Sequence, residues 1–319
     1  MNTIVKIILR AFSTGIRALD ARLGSLLSGE TLYLVGPTGE GKTTTLMTIL
    51  YNLTREADVR GYGLFTELSD EGEDRASTES ELDKKFGCAL AGVEWRHYEN
   101  TVAAWCSPNL TKLSGPDYAS AQASIADAKA WREKHLVMAK ESHPSSAQIS
   151  AALDYCATNG LAFLVIDHLG LVDFSSEPEK NSFQQAERGF ERLVKKARQL
   201  GVLFIVVGQM GKSANAPGAV VSIANIRGSH GNAAAAWTVL AVGSYSVQDG
   251  KETLVVPGLI RYTVVKNRIG GGMRGDGLAR VSFGRVRDLY DYREQAALVQ
   301  AARDGVAAPA ETEEEPTPF

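Results

Sequence analysis

Gly36-Pro-Thr-Gly-Glu-Gly-Lys-Thr43 fits the pattern G-x-x-x-x-G-K-[ST], and its flanks decide how it folds. Before it runs an apolar segment, Thr31-Leu-Tyr-Leu-Val35; after it, residues 44–53 carry apolar side chains at helical spacing. Strand, glycine loop and helix in that order form a phosphate cradle. The glycines let backbone N–H groups turn inward around phosphate oxygens at a helix N-terminus that already favours anions. Lys42 is placed to reach the β and γ phosphates and the Thr43 hydroxyl to ligate Mg²⁺. Gly36, Pro37, Thr38, Gly39, Glu40, Gly41, Lys42, Thr43 and Thr44 are therefore the expected nucleotide-binding set, with ATP or a dNTP as substrate.

Working outward, the chain has 319 residues and 44% hydrophobic content, enough to bury a sizeable core. Its longest apolar runs, 161–166 and 202–207, have the length of buried strands and fall far short of a membrane span. Residues 1–10 hold only a short apolar run and no small-residue cleavage site, so a cytoplasmic protein without membrane contact is expected, in the host cytoplasm if phage-encoded. Cys88, Cys106 and Cys156 are odd in number and form no C-x-x-C pair, which speaks against a disulfide framework or zinc ribbon. The five histidines, His97, His135, His143, His168 and His230, show no metal-ligand spacing and read as structural. Net charge is −3, but Glu311, Glu313, Glu314 and Glu315 supply four negatives, leaving +1 for the rest. Near-neutrality neither demands nor forbids a nucleic-acid partner, because a few loops can line a basic channel.

Helices and strands alternate after the glycine loop, which predicts an α/β fold with a mostly parallel sheet covered by helices on both faces. Strands are expected at 61–67, 136–138, 161–167, 202–209 and 235–242, with a terminal pair at 258–266 and 277–283. Helices are expected at 117–131 and 146–158. Phe183, Ala186, Phe190, Leu193, Val194, Ala197 and Leu200 share one helical face, and Gly201 supplies the stop. Residues 211–225, rich in Ser, Asn, Gly and Ala, read as a long loop. The expected organisation is an N-terminal arm at 1–12, an ATPase domain at 13–290, a C-terminal helix at 291–305 and an acidic disordered tail at 306–319.

Hydrolysis of a triphosphate needs a second carboxylate to organise Mg²⁺ and a polar group to align the attacking water. Asp167 closes the run Leu-Ala-Phe-Leu-Val-Ile and is the expected metal partner of Thr43. Glu67 closes the strand after the P-loop helix and is the candidate general base.

Six segments together resemble a known family: Ser13-Thr-Gly-Ile-Arg-Ala-Leu-Asp20, Phe65-Thr-Glu-Leu-Ser69, Leu164-Val-Ile-Asp-His168, Val207-Gly-Gln209, Arg227-Gly-Ser229 and Val265-Lys-Asn-Arg-Ile-Gly270. Their order is similar to that of the RecA-like P-loop fold, and within it to DnaB-type replicative helicases, including the helicase half of phage helicase-primases and Twinkle-like proteins. The resemblance covers about residues 12–285. The interval of 100 residues from Glu67 to Asp167 matches the helicases better than the recombinases. No N-terminal primase or helical N-terminal domain precedes the motifs, so priming is expected from a separate partner.

The resemblance implies a homo-oligomer, expected as a hexameric ring, that translocates on single-stranded DNA in replication. It implies that Lys266 and Arg268 project into the nucleotide site of the next subunit, where a guanidinium neutralises charge on the transferring phosphoryl. Gln209 would sense the γ-phosphate. Arg227 would lie at the subunit interface near the nucleotide, or form an ordinary salt bridge. Lys212, Ser213 and Asn215 would hold DNA phosphates, or belong to a merely solvated loop. The tail ending in Phe319 would solubilise the chain or dock on a replicative polymerase. Two other functions share many of these features: a RecA-type strand-exchange recombinase, and a KaiC-like regulatory ATPase acting on protein partners.

Overall fold

In the computed structural model the described residues are 10–66, 75–93, 97–98, 101, 114–139, 141–179, 181–210, 230–268, 275–282, 285–289 and 292–306. Strand β3 (Thr31–Gly36) is buried along its whole length. Its neighbours are β7 (Leu203–Gln209) on one side and β8 (Thr238–Asp249) on the other, both parallel to it. A strand with both faces covered needs no polar alternation, which explains the continuous apolar character of the run before the glycine loop.

The nine-stranded sheet has the order β11-β10-β9-β8-β3-β7-β6-β4-β5. From β8 across β3, β7, β6 (Phe163–Asp167) and β4 (Gly61–Phe65) to the edge strand β5 (Leu136–Ala139), every pairing is parallel. Beyond β8 the strands β9 (Glu252–Asn267), β10 (Gly275–Ser282) and β11 (Arg285–Asp288) are antiparallel. A separate two-stranded ribbon joins β1 (Ala11–Phe12) to β2 (Leu26–Leu27). The expected mostly parallel sheet is present.

Alternate side chains of the strands enter two cores. Leu32 and Leu34 pack with Leu46, Ile49, Leu50 and Leu53 of α2 (Lys42–Ala57). Tyr33 and Val35 face the other way, toward Ile149 and Leu153 of α5 (Ser146–Thr158) and Phe190, Leu193 and Val194 of α6 (Ser182–Leu200). Helices therefore cover both faces. Local chemistry sets their ends: Ser145 and Gln148 form a capping box at α5, Asn181 caps α6, and Gly201 takes a φ of 68° to end it. Phe183, expected on the buried face of α6, is instead 53% exposed, because burial on this helix begins only near Gly189 and the first turn overhangs the core.

Near the N-terminus, the carboxylate of Asp20 in α1 (Arg17–Leu23) accepts from the Ser13 and Thr14 hydroxyls and from the backbone N–H groups of Thr14 and Gly15. The Asn52 amide donates to Thr14 O, so this turn is fastened to the P-loop helix α2.

Between β4 and β5 sits a helical pair, α3 (Arg75–Ala91) and α4 (Gly115–His135). A Cβ on Gly87 would lie 2.4 Å from Ile125 Cα, so only glycine permits this close approach. Phe86 and Trp131 pack on Tyr51 of α2, and Trp131 Nε1 donates to Thr54 Oγ1 at 2.9 Å. The P-loop helix and the helical pair thus share an aromatic cluster.

Strands β8 and β9 run well past the expected 235–242 and 258–266. The distal part of this hairpin turns at Gly250, whose φ is 63°, and is covered by α8 (Tyr292–Arg303) through Leu298 on Val256 and Leu259. The polar sequence of 243–249 hides it, although Asp249-Gly250 is a recognisable hairpin signal.

Arg132 of α4 holds Asp83 of α3 through two hydrogen bonds, at 2.7 and 2.9 Å, with both side chains buried. Truncating one partner strands the other charge. Asp83→Ala is expected to lower stability by about 3–5 kcal/mol, and the apolar pair Asp83→Leu/Arg132→Met by much less; denaturant unfolding of both variants measures the difference.

Candidate nucleotide site

Gly36 ends β3, and its Cα lies against the neighbouring strand: a Cβ there would sit 2.3 Å from the Val242 carbonyl oxygen. Gly39 and Gly41 take φ values of 82° and 84°, a left-handed geometry that side chains oppose. Gly41 is also the N-cap of α2, which leaves the first N–H groups of that helix directed at the loop. The loop is shaped for phosphate by its glycines before any ligand arrives.

Lys42 Nζ donates to the Pro37 carbonyl at 2.7 Å, folded over the loop it belongs to. Thr43 Oγ1 donates to Asp167 Oδ2 at 3.1 Å, so hydroxyl and carboxylate stand together at the helix start. Asp167 is only 6% exposed. These are hard oxygen donors of the kind Mg²⁺ takes, and the pair fits that ion. Glu40 turns sideways: its carboxylate accepts from the Ser244 backbone N–H at 2.6 Å and from the Ser244 hydroxyl. Ser244 lies where the β8–β9 register shifts, so the P-loop is tied to the long hairpin.

The ends of β4, β6 and β7 complete the site. Phe65 pairs with Asp167 and Gly36 with Gln209, which aligns the carboxyl ends of four strands. Thr66 Oγ1 donates to Asp167 O at 3.0 Å and accepts from His168 N at 2.9 Å, and the Asp167–His168 peptide is cis. His168 Nδ1 accepts from Gly170 N–H at 2.9 Å, so the neutral ring carries its proton on Nε2. That nitrogen lies 3.2 Å from Gln209 Nε2, and because two N–H groups cannot bond each other, the Gln209 amide is assigned with its oxygen turned to the ring. The sequence reading gave Thr66 no role and took His168 as structural. A threonine beside Glu67 and a histidine after Asp167 gave no signal until the strands were aligned.

Lys266 and Arg268 lie at the other end of the sheet. Lys266 Nζ donates to the carbonyls of Ala233, Ala234 and Ala236, closing the C-terminus of α7 (His230–Ala235) on its own chain. Burial first, and the Arg268 guanidinium second, push the Lys266 pKa down to about 8. Arg268 is exposed and donates to Ala234 O at 2.6 Å. Glu67, Arg227, Lys212, Ser213, Asn215 and the acidic tail lie outside the described residues. Their neighbours Thr66, Met210 and His230 are described, and Met210 N donates to Gly36 O at 3.2 Å beside the P-loop.

No family model matches the chain, and no curated protein does. Among solved structures it is similar to a DnaB-like replicative helicase described with its interactions with primase, at a TM-score of 0.67 and 15% identity over 87% of this chain. The match spans 63% of that protein's length. It is also similar to a second solved structure, described as an ATPase domain, at a TM-score of 0.67 and 14% identity, over 89% of this chain and 93% of that one. The fold is therefore that of a RecA-like P-loop ATPase domain. In particular, it is the fold found in DnaB-like replicative helicases.

Gly36→Ala is expected to abolish nucleotide binding and to lower stability by about 1–3 kcal/mol, since the added methyl meets a strand carbonyl that cannot move alone. Titration with a fluorescent nucleotide and a thermal melt read the two effects separately.

Proposed function

We propose that this chain is an ATP- or dNTP-driven DNA helicase motor that works as a ring of identical subunits on single-stranded DNA. The observation that carries the proposal is the separation of the two halves of the chemistry. Lys42, Thr43, Asp167 and Gln209 converge at the carboxyl ends of the parallel strands. Arg268 follows Asn267, which pairs with Thr238, which in turn pairs with Leu32 at the opposite end of β3. At about 3.3 Å per residue, the strand from Leu32 to Gly36 alone puts roughly 13 Å between the two levels. A guanidinium there serves a P-loop only if that P-loop belongs to another copy. Such a head-to-tail contact repeats one patch against a different one and generates rings or filaments.

In this reading Lys42 and the N–H groups of the loop hold the phosphates, while Thr43 and Asp167 hold Mg²⁺, which supplies charge neutralisation on the β and γ oxygens when bound. Glu67, next to the clamped Thr66, orients the attacking water, and Gln209 senses the γ-phosphate from the end of β7. Arg227 adds to the nucleotide side of the interface. The described chain reaches Met210 beside the P-loop, whose Gly36 carbonyl accepts from Met210 N–H; in this reading the residues that follow respond to the nucleotide, and Lys212, Ser213 and Asn215 take the DNA phosphates. The similar helicase described with primase makes a separate primase a natural partner, with a replicative polymerase as the partner of the acidic tail. No helix among the described residues is long and apolar enough to cross a membrane. A cytoplasmic setting, that of the host for a phage-encoded protein, suits this role.

The shared site predicts complementation. Arg268→Ala and Lys42→Ala homo-oligomers are each expected to be nearly inactive, and mixing them is expected to restore single-strand-stimulated hydrolysis, because a mixed interface pairs an intact P-loop with an intact arginine. Mixtures that form shared assemblies yet stay inactive at every ratio would refute it. Closed rings by electron microscopy distinguish the helicase from a recombinase filament, and stimulation by single-stranded DNA distinguishes both from a regulatory ATPase.

Glu67→Gln is expected to bind nucleotide and assemble while hydrolysing at least about a hundredfold more slowly, the scale of a lost general base. Steady-state turnover together with nucleotide binding measures both halves of that expectation.

A further inference from the structure

Arg268 shares its groove with two cations that the proposed chemistry leaves idle. The groove, about 540 Å³ in volume, lies between α6 and α7 and is lined by Glu187, Lys195, Arg198, Trp237 and Arg268, among others. The Arg198 guanidinium carbon stands 4.5 Å from the centroid of the Trp237 ring. Stacking on an indole fixes the plane of the fork while leaving its edge N–H groups toward the groove. Neither the Lys195 nor the Arg198 side chain has a hydrogen bond or ion pair among the described residues. Arg188, also on this wall, is by contrast matched by Glu191 at 2.7 Å.

The lysine expected to accompany Arg268 is differently employed. An ammonium has three donors, and Lys266 directs its own at the carbonyls of Ala233, Ala234 and Ala236, at the C-terminal end of α7, where Ala234 lines this groove. Reaching a phosphate would leave a helix end uncapped. Arg198 faces no such conflict: it belongs to α6, its guanidinium rests over the Trp237 ring, and no described residue takes its donors.

We propose that Arg198, presented on Trp237 and supported by Lys195, is a second cation that contacts the triphosphate held at the P-loop of a neighbouring copy, beside Arg268, and that Lys266 is the intrachain clamp that keeps the α7 wall of the groove in place. The inference rests on the reading that Arg268 acts across an interface. Its ligand class is a nucleoside triphosphate, a polyanion whose oxygens suit a planar fork of N–H donors. Charge favours it: Arg188, Lys195, Arg198 and Arg268 outnumber Glu187 and Glu191 along the groove. A preorganised cation that meets charge developing on the transferring phosphoryl lowers the barrier without reorganisation.

The test uses Arg198→Gln, which keeps the stem on the indole but loses the charge, together with Arg198→Ala. Single-strand-stimulated kcat is expected to fall on the order of a hundredfold, with assembly and nucleotide affinity at the P-loop retained. Mixing either variant with Lys42→Ala subunits should recover activity, since the Lys42→Ala neighbour supplies an intact Arg198. Wild-type kcat in Arg198→Gln would overturn the proposal. So would a loss that mixing fails to recover while the parallel Arg268→Ala and Lys42→Ala mixture recovers, because Arg198 would then serve its own subunit's fold. Loss of assembly, with hydrolysis tracking the assembled fraction, would also overturn it in favour of a groove that docks polypeptide from the neighbour. If the Arg268→Ala mixture itself stays inactive in shared assemblies, the shared-site reading fails and this inference fails with it.

Discussion

The parallel pairing of β3 with β7, in the register that sets Gly36 opposite Gln209, is the constraint on which the rest of the site depends. Parallel strands that start together end together, so one pairing brings the P-loop and Gln209 to the same edge. The next pairings, β7 with β6 and β6 with β4, extend that edge to Asp167 and Phe65. Side chains about a hundred residues apart in sequence then meet within hydrogen-bond distance. Thr43 on Asp167 and Thr66 across the Asp167–His168 peptide are the direct results.

The same sheet has a second polarity at its antiparallel edge. Because β9 runs opposite to β8, its C-terminus returns to the level where β3 begins, and Arg268 emerges far from the P-loop of its own chain. The length of the β8–β9 hairpin, the Glu40 link to its register shift at Ser244 and the Lys266 cap on α7 are parts of one arrangement. Through it the P-loop end and the cation-lined groove are joined by continuous backbone hydrogen bonding. In the proposed ring, this one sheet would relate the nucleotide a subunit holds to the surface it presents to a neighbour.

The helical pair between β4 and β5 adds a second body to this frame. Burial of the Asp83–Arg132 pair fixes α3 against α4, and the contact of Gly87 with Ile125 sets how close they come. Tyr51, Phe86 and Trp131 then fasten the pair to α2, the helix that starts at Lys42. A displacement of α2 on nucleotide binding would be felt first by these aromatic side chains, since interiors packed this tightly transmit shifts rather than absorb them.

Glycines, the Lys-Thr pair and the apolar run before them made the P-loop legible from sequence alone, because those residue types are local requirements of backbone geometry and phosphate chemistry. Apolar runs revealed most strands for the same reason, and the carboxylate at the end of one of them marked Asp167, which the structure sets against the Thr43 hydroxyl. Tertiary structure alone decided three matters. It brought Thr66 across the Asp167–His168 peptide and His168 beside Gln209, contacts between strands that depend on register. It extended the β8–β9 hairpin through polar sequence, where cover from α8 substitutes for intrinsic hydrophobicity. And it turned Lys266 toward the end of α7 while leaving Arg198 open on Trp237, a choice made by which helix carbonyls and which indole lie within reach, and distance across a fold is not written in spacing along a chain.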